Sequence, residues 1–143
     1  DLDEVIKKNK ENNVFYCQYA YARASSVINK VKKLDINSNE FENLKELEVS
    51  NEELEIIKLI ISYPYLLYQC INSNEPHRLV NFLEILCSLF HSLWNKGKED
   101  ESLRFIDENN LYNTKFKLLW IDSFRIVLKD IFSIIGIESP EKM

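Results

Sequence analysis

The chain contains very few residues that break regular structure, since its 143 residues include only two glycines and three prolines. Collagen-like, Gly/Pro-rich and turn-dense all-β architectures need far more of both residue types and are excluded. Because 45% of the residues are hydrophobic and 12% are aromatic, the chain can bury a sizeable core and is not globally disordered. This balance predicts one soluble, mostly helical domain.

Apolar residues recur at helical spacing in three long stretches, and no strand-like alternation persists along the chain. These stretches predict helices over about 14–34, over 76–95 with Gly97 as the stop, and over 114–135 with Gly136 as the stop. Together with shorter elements, they favour an all-α fold: a single-domain bundle of about five to seven helices.

The shorter helices are predicted from local signals. Residues 2–10 fit an opening helix that Asn12 and Asn13 separate from the next one. A weak helix is expected at 40–47, and a Ser50/Glu53 capping box predicts another over 51–62. Pro64 is expected to interrupt that helix and to begin a further one over 64–71. The side chains predicted to face inward from the 51–62 helix are Leu54, Ile57, Ile60 and Ile61.

The residues suited to catalysis or metal binding are few and scattered. Cys17, Cys70 and Cys87 form no C-x-x-C pair and are expected to be buried free thiols in a reducing compartment. His77 and His91 are fourteen residues apart on one predicted helix, so they cannot share a metal ion from that helix. With no Gly-rich phosphate loop and no H-E-x-x-H motif, the sequence predicts no catalytic residue and no metal site.

No apolar run is expected to reach the length of a membrane span, because the runs at 59–61 and 131–135 are soon interrupted. The first dozen residues are charged throughout, which is unlike a signal peptide. We therefore expect a cytoplasmic protein without a membrane partner, and a monomer.

The net charge of −5 is unevenly distributed. Residues 1–34 contain seven lysines and arginines against four acidic residues, whereas residues 35–62 contain two lysines against eight acidic residues. A basic surface could contact phosphate and an acidic one would turn away from it. Solvated helix faces explain the same counts, so charge alone leaves both interpretations open.

One edge of the 14–34 helix combines aromatic and cationic residues. Tyr16, Tyr19, Arg23, Ser26 and Lys30 fall on a stripe beside the core face. Rings and guanidinium planes stack on splayed bases of single-stranded RNA, and lysines contact its phosphates. Tyrosines that bury their rings at the core margin and keep their hydroxyls in water give the same pattern. The stripe by itself is therefore compatible with RNA binding and with simple packing.

Three segments occur together in register: NNVFYCQYAYAR at 12–23, PHRLVNFLEILCSLFHSLWN at 76–95, and FRIVLKDIFSIIGIESPEKM at 124–143. They resemble the C-terminal, DALR-type anticodon-binding domain of arginyl-tRNA synthetase, a class I aminoacyl-tRNA ligase. The family pattern is N-P-V-x-Y-x-Q-Y-A-H-A-R, then P-H-R-L before an aromatic-rich helix, and finally L-G-I-x-x-P-E-R and a terminal methionine. The resemblance covers nearly the whole chain in the right order.

The resemblance implies that residues 1–143 are an anticodon-binding domain from the C-terminal part of a longer synthetase, without its catalytic domain. The implied partners are the anticodon loop of arginine tRNA and the parent catalytic domain. This domain would need no cofactor, whereas the parent enzyme would use ATP with magnesium to attach arginine. Alone, the fragment is expected to catalyse nothing. The residues that the stripe and the resemblance assign to RNA binding are Tyr16, Gln18, Tyr19, Arg23, Phe90, Trp94 and Met143.

The sequence departs from the family pattern at three positions and in the 98–116 connection. Asn13 stands for the proline and is expected to relax the start of the helix. Tyr21 stands for the histidine; if that histidine contacts RNA, the tyrosine would keep a stacking ring but lose the imidazole. Lys142 stands for the penultimate arginine.

Three alternatives remain at this stage. The related helical domain of another class I synthetase, such as the cysteine enzyme, is disfavoured by the terminal G-I-x-x-P-E-K-M. A stand-alone helical protein–protein interaction module would use the aromatic stripe to bind a partner helix. A small hydrolase is disfavoured by the missing site.

Overall fold

The computed structural model describes residues 2–34 and 47–143, with side chains from residue 13 onward in the first range. Within these ranges the chain forms four α-helices and no strand. The helices are α1 (Leu2–Lys32), α2 (Asn51–Ser73), α3 (His77–Glu99) and α4 (Leu111–Ile135), and a 3₁₀ turn (Glu101–Leu103) lies between α3 and α4. The all-α fold is confirmed, with fewer helices in the described ranges than the five to seven predicted. Most of the weak helix predicted at 40–47 lies outside the described residues.

Helices α1 and α2 lie on opposite sides of the pair formed by α3 and α4. Each contacts both α3 and α4, and across the described ranges α1 and α2 do not contact each other. Aromatic rings fill the centre, where Phe90 and Phe124 stack with 4.4 Å between ring centroids. Phe105 and Trp120 close this cluster, edge to face at 5.5 Å. The arrangement leaves α1 and α2 each with an outer face on a different side of the bundle.

Helix α1 continues through Asn12 and Asn13, so the predicted break at these residues is wrong. Asparagine in a helix interior costs at most about 0.7 kcal/mol relative to alanine, which tertiary contacts readily offset. The Asn13 side chain makes such a contact, donating to Glu84 Oε1 on α3 at 3.0 Å. Asn13 therefore ties two helices together and does not relax a helix start.

The capping box that begins α2 is confirmed. The Ser50 hydroxyl accepts from the Glu53 backbone N–H at 3.1 Å, and the Glu53 carboxylate accepts from the Ser50 N–H at 3.0 Å. The predicted interruption at Pro64 is wrong, because α2 continues to Ser73. Pro64 is exposed, while the adjacent Tyr63 is buried and donates to Asp130 on α4. Tertiary contacts on the inner side thus hold the helix where the proline removes one backbone hydrogen bond.

Helix α2 turns a different face to the core from the one predicted. Leu54 and Ile61 are exposed, Ile61 with 72% of its surface accessible, although both were expected to face inward. Ile57 and Ile60 are half-buried, and the buried positions of the helix are Glu53, Ile56, Tyr63 and Cys70. The apolar residues surround much of the helix, so their spacing did not identify the inner side.

By length and composition alone, α2 would suffice to span a membrane. An 18-residue window within its 23 residues has a mean hydropathy of 1.3, and only 17% of that window is buried. The expectation that no stretch reaches this length is therefore wrong for α2. Helices of this length and composition also occur packed inside soluble proteins, and α2 packs one side against α3 and α4.

The connection from α3 to α4 differs from the prediction in its details. Helix α3 does not stop before Gly97 but continues to Glu99. A Cβ at residue 97 would lie 3.3 Å from the Leu103 carbonyl oxygen, so glycine allows the following chain to approach α3. The chain that follows α3 forms a single 3₁₀ turn at Glu101–Leu103. Beneath it, the buried Lys117 Nζ donates to the carbonyls of Ser102 at 3.0 Å and Arg104 at 2.9 Å.

Helix α4 ends as predicted, with Gly136 in the left-handed conformation at φ 77°. Within α4, Phe124, Leu128 and Ile131 are buried, whereas Leu118 is half-buried and Leu119 is exposed. The three cysteines are buried free thiols, as expected.

Candidate nucleic-acid interface

Four of the predicted RNA-binding residues form one cluster where α1 meets α3. Tyr16, Tyr19 and Arg23 are spaced by three and four residues on α1, and Trp94 joins them from α3. The Arg23 Cζ atom lies 4.2 Å from the centroid of the Tyr19 ring and 4.9 Å from that of Trp94. The guanidinium therefore lies against both rings in cation–π geometry. We call these four residues the aromatic edge.

The two tyrosines of the aromatic edge expose much of their surface. Tyr16 is 43% exposed and Tyr19 is 42% exposed, while Trp94 is half-buried. The Tyr19 hydroxyl accepts a hydrogen bond from Arg23 Nη2 at 3.2 Å. The rings are consequently held in place by the protein while keeping area for a ligand to cover.

A buried histidine supports this cluster from beneath. The His91 ring centroid lies 4.2 Å from that of Tyr16 and 5.8 Å from that of Tyr19. Arg23 Nη1 is 2.9 Å from His91 Nδ1, and His91 Nε2 is 2.9 Å from the Tyr16 carbonyl oxygen. A guanidinium can only donate and a carbonyl can only accept. His91 is therefore neutral, with its proton on Nε2, and connects the side chain of Arg23 to the backbone of α1.

The surroundings of His91 favour this neutral state. Burial of the ring lowers its pKa below the ordinary value of 6.5, and the positive charge of Arg23 lowers it further. The hydrogen bond to the Tyr16 carbonyl acts in the opposite direction and is outweighed. Protonation would place a second positive charge against the guanidinium and remove the acceptor for Arg23.

Sequence reasoning considered His91 only as a metal ligand and missed this supporting role. A signal was present, because His91 precedes Trp94 by three residues and so lies on the same side of α3. Among the described residues, no group of three or more His, Cys, Asp or Glu side chains is placed to hold a metal ion.

The assignment of Phe90 to RNA contact needs correction. Its exposed fraction is 0%, and it stacks on Phe124 at an interplanar angle of 11°. Phe90 also contacts Phe105, whose ring packs edge to face against Trp94 at 5.6 Å. Phe90 therefore belongs to the core that supports the aromatic edge and has no surface to offer a base.

Gln18 and Met143 lie apart from the four-residue cluster. The Gln18 side chain donates to the Glu138 carbonyl at 3.0 Å and so ties the segment after α4 to α1. Met143, five residues further on, is 59% exposed. In the described part of the chain, no hydrogen bond joins Met143 to the aromatic edge.

Tyr21, which stands for a histidine of the family pattern, also turns away from solvent. It is buried, and its ring meets Phe132 of α4 edge to face at 6.0 Å. The Tyr21 ring is therefore used in the contact between α1 and α4 and has no surface to offer a base.

The sequence that builds this site can be compared with those of known proteins. The DALR anticodon binding domain matches residues 17–143. Arginine–tRNA ligases of Methylobacterium nodulans, Rickettsia africae and Pelagibacter ubique are 35%, 40% and 37% identical to this chain, each over its whole length. The chain spans about a quarter of the length of these curated relatives, covering 25%, 26% and 24% of them. Since the match includes α2, α3 and α4 and all but the first half of α1, the chain belongs to the DALR anticodon-binding domain family.

Proposed function

We propose that this chain is the tRNA-binding part of an arginine–tRNA ligase and that its aromatic edge contacts bases of the anticodon loop of arginine tRNA. The observation that carries the proposal is the stacking of Arg23 against Tyr19 and Trp94. Partly exposed rings that are fixed in orientation suit unstacked bases, each of which contributes about 1–3 kcal/mol to binding when it stacks.

The roles within the site follow from the contacts. Tyr16 and Tyr19 offer exposed ring surface, Trp94 offers its half-buried face, and Arg23 holds the rings and supplies positive charge. Gln18 acts indirectly, by fixing the segment that leads to Met143. Met143 is proposed to approach the loop as a flexible, polarisable contact.

The attachment of arginine belongs, in this proposal, to the remainder of a longer protein, in which ATP and magnesium would serve a catalytic domain. This chain would act in the cytoplasm by positioning tRNA for that domain. Its net charge of −5 favours recognition through base contacts over broad phosphate binding.

A titration with an anticodon stem-loop of arginine tRNA, followed by backbone amide shifts, tests the proposal. A second stem-loop differs only in the middle anticodon cytosine. We expect shifts around Tyr19, Arg23, Trp94 and Met143 that weaken with the changed loop. Equal shifts with both loops would indicate phosphate binding without base readout, and no shifts with either loop would contradict the proposed function.

Two matched tyrosine variants separate the site from general effects on the protein. Tyr19→Ala removes a ring of the aromatic edge, whereas Tyr65→Ala removes an exposed ring of α2 on the other side of the bundle. We expect only the first variant to bind the stem-loop more weakly. Similar binding by both variants would remove the aromatic edge from the site.

A further inference from the structure

A cleft adjoins the aromatic edge. It has a volume of about 580 Å³ and opens between α1, the C-terminal end of α3 and the chain that follows α3. Trp94 belongs to both the cleft and the aromatic edge, and Ser26 lies about one turn beyond Arg23 on α1. We call this feature the linker cleft. The lining residues that matter here are Ser26, Lys30, Trp94, Lys98, Leu103 and Ile106.

The wall of the linker cleft is fixed by the fold. The chain between α3 and α4, which we call the linker, is tied to α3. Arg104 Nε of the linker donates to the Gly97 carbonyl at 3.0 Å. From the inner side, the buried Lys117 bonds the carbonyls of Ser102 and Arg104. Phe105 is buried among the core rings. These contacts hold the cleft open in the protein alone, so a ligand would not need to order the wall on binding.

The lining combines an apolar floor with two cations at the rim. Trp94, Leu103 and Ile106 supply apolar surface, and Lys30 and Lys98 are exposed beside it. In the part of the chain that the structure describes, neither lysine forms an ion pair, whereas Arg104 pairs with Glu101 at 2.9 Å. Two ammonium groups beside a ring and aliphatic surface match the charge and shape of a nucleotide, whose flat base is flanked by phosphates.

We propose that the linker cleft receives a second nucleotide of the RNA loop that binds the aromatic edge. Its base would lie on the apolar floor with its flanking phosphates near Lys30 and Lys98. The volume lies within the roughly 300–1,000 Å³ of small-ligand sites. The inference rests on the function proposed above, because continuity through Trp94 makes the cleft an extension of that surface. An acidic peptide is the competing ligand, and the test distinguishes it.

The experiment measures binding of the anticodon stem-loop to the chain, with each loop base removed in turn to leave an abasic site. Ser26→Phe fills the cleft from an exposed position, and the control Ser62→Phe makes the same change on α2. Lys30→Ala combined with Lys98→Ala removes the rim cations without adding bulk. A glutamate-rich peptide serves as the competing probe, and circular dichroism checks that each variant is folded.

We expect one loop position whose base raises the affinity of the wild type about 5- to 150-fold, while removing the same base leaves the affinity of Ser26→Phe unchanged. This position should differ from the loop position whose base no longer contributes to affinity in Tyr19→Ala. The Lys30→Ala/Lys98→Ala variant should reduce the magnitude of the negative slope of log affinity against log salt by about 1.4, as the loss of two single-strand phosphate contacts predicts. The Ser62→Phe control should behave as the wild type.

Other results overturn the inference in distinguishable ways. If the wild type binds and Tyr19→Ala weakens binding, but Ser26→Phe and the double lysine variant do not, the linker cleft is not part of the site while the proposed function stands. Failure of the wild type to bind the stem-loop overturns both. Binding of the glutamate-rich peptide more tightly than RNA, abolished by Ser26→Phe, would assign the cleft to an acidic protein partner instead.

Discussion

On the α1 side of the bundle, Tyr16 and Tyr19 expose ring faces that His91 and Arg23 hold in position. On the α2 side, four exposed side chains have a larger accessible fraction, between 64% and 72%, but their contacts are different. Across the described residues, no hydrogen bond or ring contact fixes the exposed side chains that form what we call the α2 outer face: Leu54, Ile61, Tyr65, Tyr68 and Ile71.

The difference shows that exposed aromatic area alone does not mark a recognition surface. The aromatic edge combines rings with a cation and an ordered hydrogen-bond network, which reduces the entropy lost when a base binds. The α2 outer face offers apolar area without a fixed geometry and without a cation among its five members. Four predictions test whether these two regions, and the core between them, behave as differently as their contacts indicate.

The largest effect is expected where the aromatic edge joins the core. Phe90→Ala should lower the free energy of unfolding by about 3–5 kcal/mol, because it removes a fully buried ring from the central stack. Urea unfolding followed by circular dichroism measures this change. A loss of RNA affinity at unchanged stability would instead return Phe90 to the binding surface.

Trp94→Ala should act mainly on binding. We expect a loss of about 1–3 kcal/mol in affinity for the anticodon stem-loop, since the half-buried ring offers one stacking surface. Isothermal titration calorimetry compares it with Tyr68→Ala on the α2 outer face, which should bind as the wild type. Equal losses in both variants would erase the distinction between the two regions.

The pH dependence of stability should reveal the support beneath the aromatic edge. Because the pKa of His91 is lowered in the folded protein, the unfolded chain binds more protons between that lowered pKa and about 6.5. The contribution of neutral His91 to the free energy of unfolding is therefore fully present above this pH window. It decreases as the pH falls through the window.

Urea titrations at several pH values between about 7.5 and 5.5 measure this trend. His91→Gln carries no titrating group at this position, so its unfolding free energy should change less over the same range. An identical pH profile for the wild type and His91→Gln would show that His91 is not the group responsible.

The smallest effect is expected on the α2 outer face. Ile61→Lys combined with Ile71→Lys should change the unfolding free energy by no more than about 0.5 kcal/mol per site, because both side chains are exposed. By comparison, Ile56→Ala, at a buried position between one and two turns from Ile61, should cost about 2–5 kcal/mol. A marked loss of stability in the Ile61→Lys/Ile71→Lys variant would mean that the α2 outer face packs against the rest of the chain.

Much of the fold followed from sequence pattern where the physics is local. The capping box at Ser50 and the left-handed stop at Gly136 depend on a few adjacent residues, and both are confirmed. The continuation of α1 through Asn13 and of α2 through Pro64 depends on contacts with other helices. Glu84 lies 71 residues from Asn13 and Asp130 lies 67 residues from Tyr63, so no local pattern could reveal these contacts.

The same division applies to the candidate site. Helical spacing placed Tyr19 and Arg23 on one stripe, and the structure brings Trp94 against them. Phe90 and Trp94 are one turn apart, so spacing could not show that one is central and the other peripheral. That difference depends on where the linker with Phe105 passes over the end of α3. Long-range packing therefore decided which aromatic ring reaches the surface.

The two tryptophans give the chain a pair of optical reporters with separate meanings. Trp120 is buried and donates its indole N–H to Glu53 Oε1 at 3.1 Å, so its emission should respond to unfolding. Trp94 lies beneath the Arg23 guanidinium at the aromatic edge, where a stacked base would quench its fluorescence. A variant retaining only Trp94 would report ligand arrival, and one retaining only Trp120 would report the integrity of the bundle. One molecule thus allows binding and folding to be observed independently, without an attached dye.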